Sequence, residues 1–365
     1  MASRDYEVVF VGGGLAALLL LREIRPALPG KVAVIDPHPL QERPLLHWSY
    51  WSSEPTPYDG LAIGAWRKAR VAERPAESIA PFTLRLVRSA DVLSRLAASP
   101  EAASAQWLHT AARSISRLSD GRYAVTTGAG TVHARWVFDS ACGIPPLFPA
   151  PDKPKAVLNG CGIRVVSDLP VFEAGTATLF DPLDERSFAY LLPLSRTEAL
   201  LESASFGPAA TESDQKPLLR YLRARHPKAR FTVAHAEHGS IPLGFPPSRT
   251  SGPGHILIGA KRGLVKPSAG YGVVRIAKES KRLARLWREH RRLPPARRSP
   301  CRWRLLDYGF LALAARDPQL PLRLLGDVMR SVPLAQSLRF IDEDLRLRGL
   351  MPLLRPALPV MLRRS

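Results

Sequence analysis

The chain is poor in cysteine and in acidic residues. Three cysteines, Cys142, Cys161 and Cys301, are scattered through 365 residues and are odd in number. No C-x-x-C pair and no Cys/His spacing of a zinc site occurs. That pattern excludes a disulfide framework and a structural zinc, and it implies reduced thiols in a cytoplasmic protein. Also missing is any apolar run near the roughly 18 residues that a membrane-crossing helix needs. The most hydrophobic stretch, residues 8–21, follows Asp5 and Glu7 and is split by glycines, unlike a signal peptide. Membrane association is therefore expected to be peripheral. Acids number 32 against 52 Lys and Arg, a formal net charge of +20. Such an imbalance suits an anionic partner, either a membrane surface or nucleic acid; an arginine-rich composition is the bland alternative. No helix-turn-helix, zinc or RNP pattern is present, so no nucleic acid is expected.

What is present is a folded composition, 45% hydrophobic and 23% charged, long enough for one large or two interleaved domains. Its organising stretch is Val8-Val-Phe-Val-Gly12-Gly13-Gly14-Leu15-Ala16-Ala17, followed by Lys31-Val-Ala-Val-Ile-Asp36. The apolar run reads as a buried strand, Gly12 as a tight turn, and Gly14 as the point where backbone approaches a pyrophosphate. Ala17 is small enough for a new helix to pack on the strand. The helix's first amides lack intrahelical partners and carry the positive end of its dipole, which suits a diphosphate. Asp36 ends the second strand, about 20 residues on, where an acid accepts from a ribose hydroxyl. An adenine dinucleotide is expected here, and the N-terminal position suggests FAD.

Further along, Pro44-Leu-Leu-His-Trp48-Ser-Tyr50-Trp51 is an aromatic cluster placed near that cofactor. A helix is predicted near 89–98, and 121–127 with 131–139 alternate as a hairpin ending in Asp139, over the adenosine half. Residues 161–242 hold long alternating strands, an antiparallel sheet with one core face and one substrate wall, interrupted by a helix near 213–224. A third glycine segment, Ile256-Leu-Ile-Gly259-Ala-Lys-Arg-Gly263, precedes Lys266-Pro267-Ser-Ala-Gly270-Tyr271-Gly272 and a helix over 273–291. Free amides at that helix start suit the ribityl and isoalloxazine end. The helix carries Lys278, Lys281, Arg282, Arg285, Arg288 and Arg292 on one side, either a solvated face or one for lipid headgroups. Two or three helices broken by Pro318, Pro321 and Pro333 follow, then a tail of apolar residues, prolines and arginines suited to a headgroup layer.

Together these segments resemble the flavin-containing lycopene cyclase family. His47-Trp48-Ser49-Tyr50-Trp51 is similar to its T-W-S/C-F-x motif. Phe188-Ala-Tyr-Leu-Leu-Pro-Leu-Ser-Arg-Thr-Glu-Ala-Leu-Leu-Glu202 resembles F-x-Y-x-L-P-x-S-x-T-x-x-L-x-E. Glu237-His-Gly-Ser-Ile-Pro242 matches E-x-G-x-I-P, Lys266-Pro-Ser-Ala-Gly-Tyr271 is similar to H/K-P-S/T-T-G-Y, and Phe340-Ile-Asp-Glu343 fits the bacterial branch. The resemblance implies a non-redox cyclisation of the ψ-end of lycopene, or a related polyene, to a β-type ring. It implies reduced FAD, with NADPH a candidate electron source. The catalytic residues implied are Glu202, Glu237, Trp48 and Tyr50: a buried Glu202 supplies the proton, and aromatic faces with an anionic flavin steady the carbocation. The cofactor set is Gly12, Gly13, Gly14, Leu15, Ala16, Asp36, Asp139, Gly259, Gly263, Pro267, Gly270 and Tyr271, and no metal ligand is assigned.

Three positions depart from the family pattern. Ser203 and Ala204 follow Glu202 where the family has a second acid and Thr, Ala269 replaces Thr, and the turn after Asp139 lacks Arg. Two alternatives stay open at this point. Glu202 and Glu237 read equally as ordinary strand or loop carboxylates. The enzyme also reads as an FAD-dependent oxidoreductase, a monooxygenase or geranylgeranyl-reductase-like protein, although Gly259-Ala260-Lys261 stands where those carry Gly-Asp-Ala. The expected architecture is α/β (α+β), a Rossmann-like FAD-binding domain (1–75, 120–160, 250–285) with a connecting segment (76–119). An antiparallel substrate domain (161–249) and a C-terminal helical region (286–365) complete it.

Overall fold

A computed structural model describes residues 4–141, 156–207, 214–244, 252–290, 301–346 and 353. The first sheet is built as the glycine fingerprint requires. Strand β1 (Arg4–Val11) runs into helix α1 (Leu15–Ile24), which returns to β2 (Val32–Ile35), parallel to β1. Val8, Phe10, Val32 and Val34 are buried against α1, whose Leu18–Leu21 are buried in turn. A short β8 (Gln106–Leu108) joins β2 in parallel, and β11 (Gly130–Asp139) flanks β1 on its other side. Along its outer edge β11 pairs first with β10 (Tyr123–Thr127), antiparallel and continued by β9 (Ala112–Arg117). Further along the same edge it takes β17 (His255–Leu257) in parallel.

A second, antiparallel sheet holds β12 (Ala156–Ser167), β13 (Thr176–Pro182), β14 (Ser187–Pro193), β15 (Glu198–Phe206) and β16 (Phe231–Leu243). Its order is β16-β12-β15-β14-β13, extended by β5 (Lys68–Val71) and β6 (Glu77–Ser78). One face is covered by α4 (Lys216–Arg225) through Leu218, Tyr221 and Leu222. Between the two large sheets stands a small one, β3 (His47–Ser52), β7 (Thr83–Arg88) and β4 (Ala62–Trp66). Helix α2 (Ser89–Ala97) follows β7, and α3 (Pro100–Ala103) starts on a Ser99 side-chain cap.

Helix α5 (Val273–His290) packs on α1 and buries Ala277, Leu283, Ala284 and Trp287. Its outer face carries the exposed Lys278, Lys281, Arg285 and Arg288, while Arg282 pairs with Glu279. Helices α6 (Cys301–Arg316), α7 (Gln319–Ser331) and α8 (Leu334–Ile341) follow. Pro318 and Pro333 cap α7 and α8, whereas Pro321 does not interrupt α7. It falls in the first turn, where the missing N–H has no intrahelical partner. No helix among the described residues is long and apolar enough to cross a membrane. Apart from Leu353, the tail expected to meet headgroups lies outside the described residues, as does Arg292.

The sheet boundaries differ from the sequence expectation in two places. Residues 68–78 pair with β13 and not with the first sheet. The segment expected only to connect, 76–119, gives strands to all three sheets. Both differences concern pairings between distant residues, which local alternation does not encode.

Candidate functional site

Two neighbouring features make the site. The first is the glycine loop between β1 and α1. Gly14 caps α1 in extended conformation with no side-chain cap, and where a Cβ would project nothing lies within 4 Å. Gly12 has φ of +91°, and a Cβ on Gly13 would lie 2.7 Å from the Trp107 ring. Side chains would block this turn, so backbone amides line it. Asp36 Oδ2 accepts from the Gly13 N–H at 2.7 Å and pairs with Arg43 at 2.9 Å. Arg43 also donates to the Gly13 carbonyl at 3.1 Å, placing a cation beside the loop that the sequence reading did not single out. The uncapped amides, open room and acid at the strand end fit a dinucleotide.

The third glycine segment closes against this loop. Gly259 (φ +62°) approaches Ala16 so closely that a Cβ would sit 2.9 Å from the Ala16 methyl group. Gly263 ends the same turn in the left-handed region. Beyond it Lys266 is buried, donating to Asp307 at 2.8 Å and Glu343 at 3.0 Å, so the loop with Pro267 is tied to α6 and the segment after α8. The loop then delivers Gly270, Tyr271, Gly272 and Val273 to the start of α5.

Those four residues also border the second feature, a cavity of about 360 Å³ against the antiparallel sheet. Cross-strand register explains its contents. Tyr190 on β14 pairs with Glu202 on β15, Glu202 with Gly162 on β12, and Gly162 with Glu237 on β16. Directly opposed residues share a face, so the two carboxyl side chains stand on one wall. The next row places Phe188 beside Ala204, Gly160 and Gly239, three small residues that hollow the sheet. Trp48 and Ser49 of β3 line the opposite side.

The two acids have opposite surroundings. Glu202 is half-buried on the cavity wall, and no hydrogen bond to its carboxyl is found among the described residues. Burial, and secondarily the charge of Glu237, push its pKa up to about 8, so it holds its proton at neutral pH. Glu237 is buried but well partnered. The His47 backbone N–H lies 3.1 Å from both of its oxygens, and His47 Nδ1 lies 2.7 Å from Oε2. His235 Nε2 is 3.3 Å from Oε2 while donating to the Leu45 carbonyl at 3.1 Å. His47, His235 and Glu237 have the composition of a metal site, their ligand atoms lying within 4.8 Å of one another. The 2.7 Å separation is a direct hydrogen bond; two ligands on one tetrahedral zinc stand about 3.3 Å apart.

Aromatic rings form much of the cavity lining. Phe180, Phe188 and Tyr190 meet with centroids 5.1–5.2 Å apart, and Tyr271 faces Tyr190. Burial raises the pKa of Tyr190 well above the ordinary phenol range, so its hydroxyl stays neutral. The sequence reading did not assign Phe180, Phe188 or Tyr190 to the site. The two-residue spacing of Phe188 and Tyr190, continuing to Glu202 across the β14–β15 turn, was the available signal.

The sequence profile of the family described as "Lycopene cyclase protein" matches residues 7–362. The chain belongs to the lycopene cyclase family. No curated protein matches it. Among solved structures, a geranylgeranyl bacteriochlorophyll reductase-like protein from Thermoplasma acidophilum is 14% identical, with TM-score 0.58, over 99% of this chain and 98% of that one. The flavin-dependent brominase Bmp2 is 14% identical (TM-score 0.57; 96% and 93% covered). The halogenase PltM, in complex with phloroglucinol and FAD, is 13% identical (TM-score 0.59; 98% and 86% covered). Fold and family together are those of FAD-dependent enzymes with a Rossmann-like nucleotide-binding sheet.

Within this family frame, two expected site residues have other occupations. Asp139 is fully buried, and its carboxylate is taken by Lys261 (2.6 Å), His255 (3.1 Å) and the Ala141 N–H (3.0 Å). It fastens the end of β11 to the start of β17 and to the third glycine segment, which brings it a lysine. Tyr50 points away from the large cavity. Its hydroxyl donates to Asp59 at 2.9 Å, its ring packs on Tyr58, and it borders a separate small recess with Trp51. Trp48 and Tyr50, two residues apart, share a face of β3; Trp48 lines the cavity, whereas Tyr50 lies further along the strand, buried in the core.

Proposed function

We propose that the protein cyclises the ψ-end of lycopene, or a related polyene, to a β-type ring in carotenoid biosynthesis, with reduced FAD bound. The observation that carries this reading is Glu202, a half-buried carboxyl without a hydrogen-bond partner among the described residues, held protonated on an aromatic cavity wall. The glycine loop with Leu15, Ala16 and Asp36 would hold the dinucleotide. Pro267, Gly270 and Tyr271 would hold its flavin end, where the start of α5 meets the cavity. When bound, reduced FAD supplies an electron-rich ring system that offsets positive charge on a neighbouring substrate. NADPH is the proposed source of its electrons.

Glu202 gives its proton to the terminal double bond, and the next double bond attacks the tertiary cation to close the ring. A carboxylic acid of this strength protonates an alkene only if the cation is stabilised as it forms. Trp48, Phe180, Phe188, Tyr190 and Tyr271 present π faces or edges to the cavity, each face worth about 0.5–2 kcal/mol toward a cation. The same rings exclude water, which would trap the cation as an alcohol.

Expression in a lycopene-accumulating cell, with pigments separated by chromatography, tests this reading. Cyclic carotene is expected, and unchanged lycopene counts against it. The oxidoreductase alternative draws on the reductase-like and halogenase folds. Purified enzyme consuming NADPH and oxygen in step with product would favour it. The exposed basic face of α5 suits an anionic membrane surface as the place where the substrate is met. Salt-dependent flotation with anionic liposomes is expected, and protein absent from the lipid layer would contradict it.

A further inference from the structure

Cyclisation needs a group that removes a proton as well as one that donates it, and the cavity wall holds a second carboxyl with the opposite preparation. We propose that Glu237, clamped by His47, is the proton acceptor that ends the reaction, and that Gly162 keeps open the gap across which it reaches the substrate. This rests on the cyclisation reading above and assigns within it the residue that selects the ring type.

Three observations support the assignment. Glu202 and Glu237 lie in one cross-strand row with only Gly162 between them, α-carbons about 10 Å apart at two strand spacings. A Cβ at position 162 would lie 2.9 Å from Glu237 Cγ and 3.3 Å from Oε1, so the missing side chain gives this carboxylate its place over β12. Glu237 is met by two N–H donors of His47, the backbone amide and ring Nδ1, with His235 Nε2 3.3 Å away, whereas no donor meets Glu202 among the described residues. The His47 ring is buried with no partner on Nε2 among the described residues, and Nδ1 meets a carboxylate oxygen that can only accept, which makes Nδ1 a donor to Glu237. Acid and base are thus prepared by environment, not by residue type.

The balance is that of an isomerisation. The O–H bond of Glu202 breaks as a C–H bond forms on the terminal alkene carbon, and a C–C bond closes the ring. A C–H bond on the ring carbon bearing the polyene then breaks, and its electron pair becomes the ring double bond. Its proton passes to the Glu237 carboxylate. No electrons are exchanged with the cofactor, and one proton returns from Glu237 to Glu202 before the next turnover. The Glu237 side of the cavity opens at edge strand β16, where His238, Gly239, Ser240 and Ile241 are exposed and offer an exit to solvent. Because a base removes only the proton it faces, its position decides between a β-ring and a ring with the double bond elsewhere.

The experiment compares wild type, Glu237→Gln, Gly162→Ala, His47→Leu and His47→Asn, loaded with FAD reduced chemically, on lycopene in detergent micelles. Initial rates and the ring types formed are measured, with flavin absorbance and melting temperature as folding controls. Glu237→Gln is expected to lose at least about 100-fold in kcat, its residual product no longer dominated by the wild-type ring. Gly162→Ala is expected to shift the ring-type ratio while retaining flavin. His47 acts through Glu237, so His47→Leu should lower kcat about tenfold or more with KM little changed. His47→Asn restores a donor near Nδ1 and should recover most of that loss. Glu237→Gln turning over within threefold of wild type, with the same ring ratio, overturns the proposal and leaves the cyclisation reading standing. His47→Asn no better than His47→Leu overturns the positioning role of His47. Wild type inert toward lycopene overturns the cyclisation reading and this proposal together.

Discussion

Asp139, fully buried, and Glu202, half-buried on a cavity wall, are carboxyls withdrawn from bulk water, one in each large sheet, and they are treated in opposite ways. Asp139 ends a parallel strand and is surrounded by a lysine, a histidine and a backbone N–H. Glu202 sits mid-strand in the antiparallel sheet, opposite a glycine and a tyrosine, with no ion pair to a cation among the described residues. Desolvating a charge is costly, so a buried carboxyl is either paired or kept neutral. The paired acid fastens structure. The neutral acid is left with a proton to give.

Four outcomes would sharpen or break that contrast. The largest is expected for Glu202→Gln, which keeps size and polarity but removes the transferable proton. Cyclisation should fall by about 10³-fold or more while FAD stays bound, measured by product chromatography and flavin absorbance. Turnover near wild type would remove the contrast, since Glu202 would then be as structural as Asp139. Next is Asp139→Asn, which strands Lys261 without its counter-charge. A loss of about 3–5 kcal/mol in unfolding free energy by denaturant titration is expected, with kcat of the still-folded enzyme little changed. A specific loss of kcat at normal stability would show that Asp139 takes part in chemistry.

Third is the pH dependence of turnover. Glu202 must be protonated to act, so kcat should fall about tenfold per pH unit as pH rises above about 8. A flat profile to pH 10 would show that Glu202 is not the acid. The smallest effect is on stability. The folded pKa of about 8 exceeds the reference 4.5, so between those values the native chain holds the extra proton. This contribution is fully present below about pH 4.5 and is lost as pH rises through about 8. The melting temperature of wild type should therefore drop more between pH 5 and pH 9 than that of Glu202→Gln.

Much of the nucleotide-binding half was legible in the chain, because its signals are local. A strand, a glycine turn, a helix and an acid about 20 residues later lie within 36 residues, and β1, α1, β2 and Asp36 stand where that spacing predicts. The hairpin ending at Asp139 and the helix opened by Gly272 were local as well. Misreadings arose where a side chain's partner is far away in sequence. Asp139 looked like a ligand contact until Lys261, 122 residues on, was brought to it. Tyr50 shares a face of β3 with Trp48, yet it sits one pair further along the strand and meets Asp59, away from the cavity that Trp48 lines. Arg43 and Phe180 gave no local motif, and the spacing of Phe188 and Tyr190 did not show that their rings meet Phe180.

The sequence alone determined the strand–glycine–helix unit of a dinucleotide loop and a strand carrying Glu202, since strand alternation and glycine turns are written into short segments. Only the tertiary structure decided that Glu202 and Glu237, 35 positions apart, share one row with Gly162 between them, the first without a hydrogen-bond donor among the described residues and the second held by His47. Register across three strands and the burial that goes with it arise from contacts between distant segments, and those contacts determine which carboxyl keeps its proton.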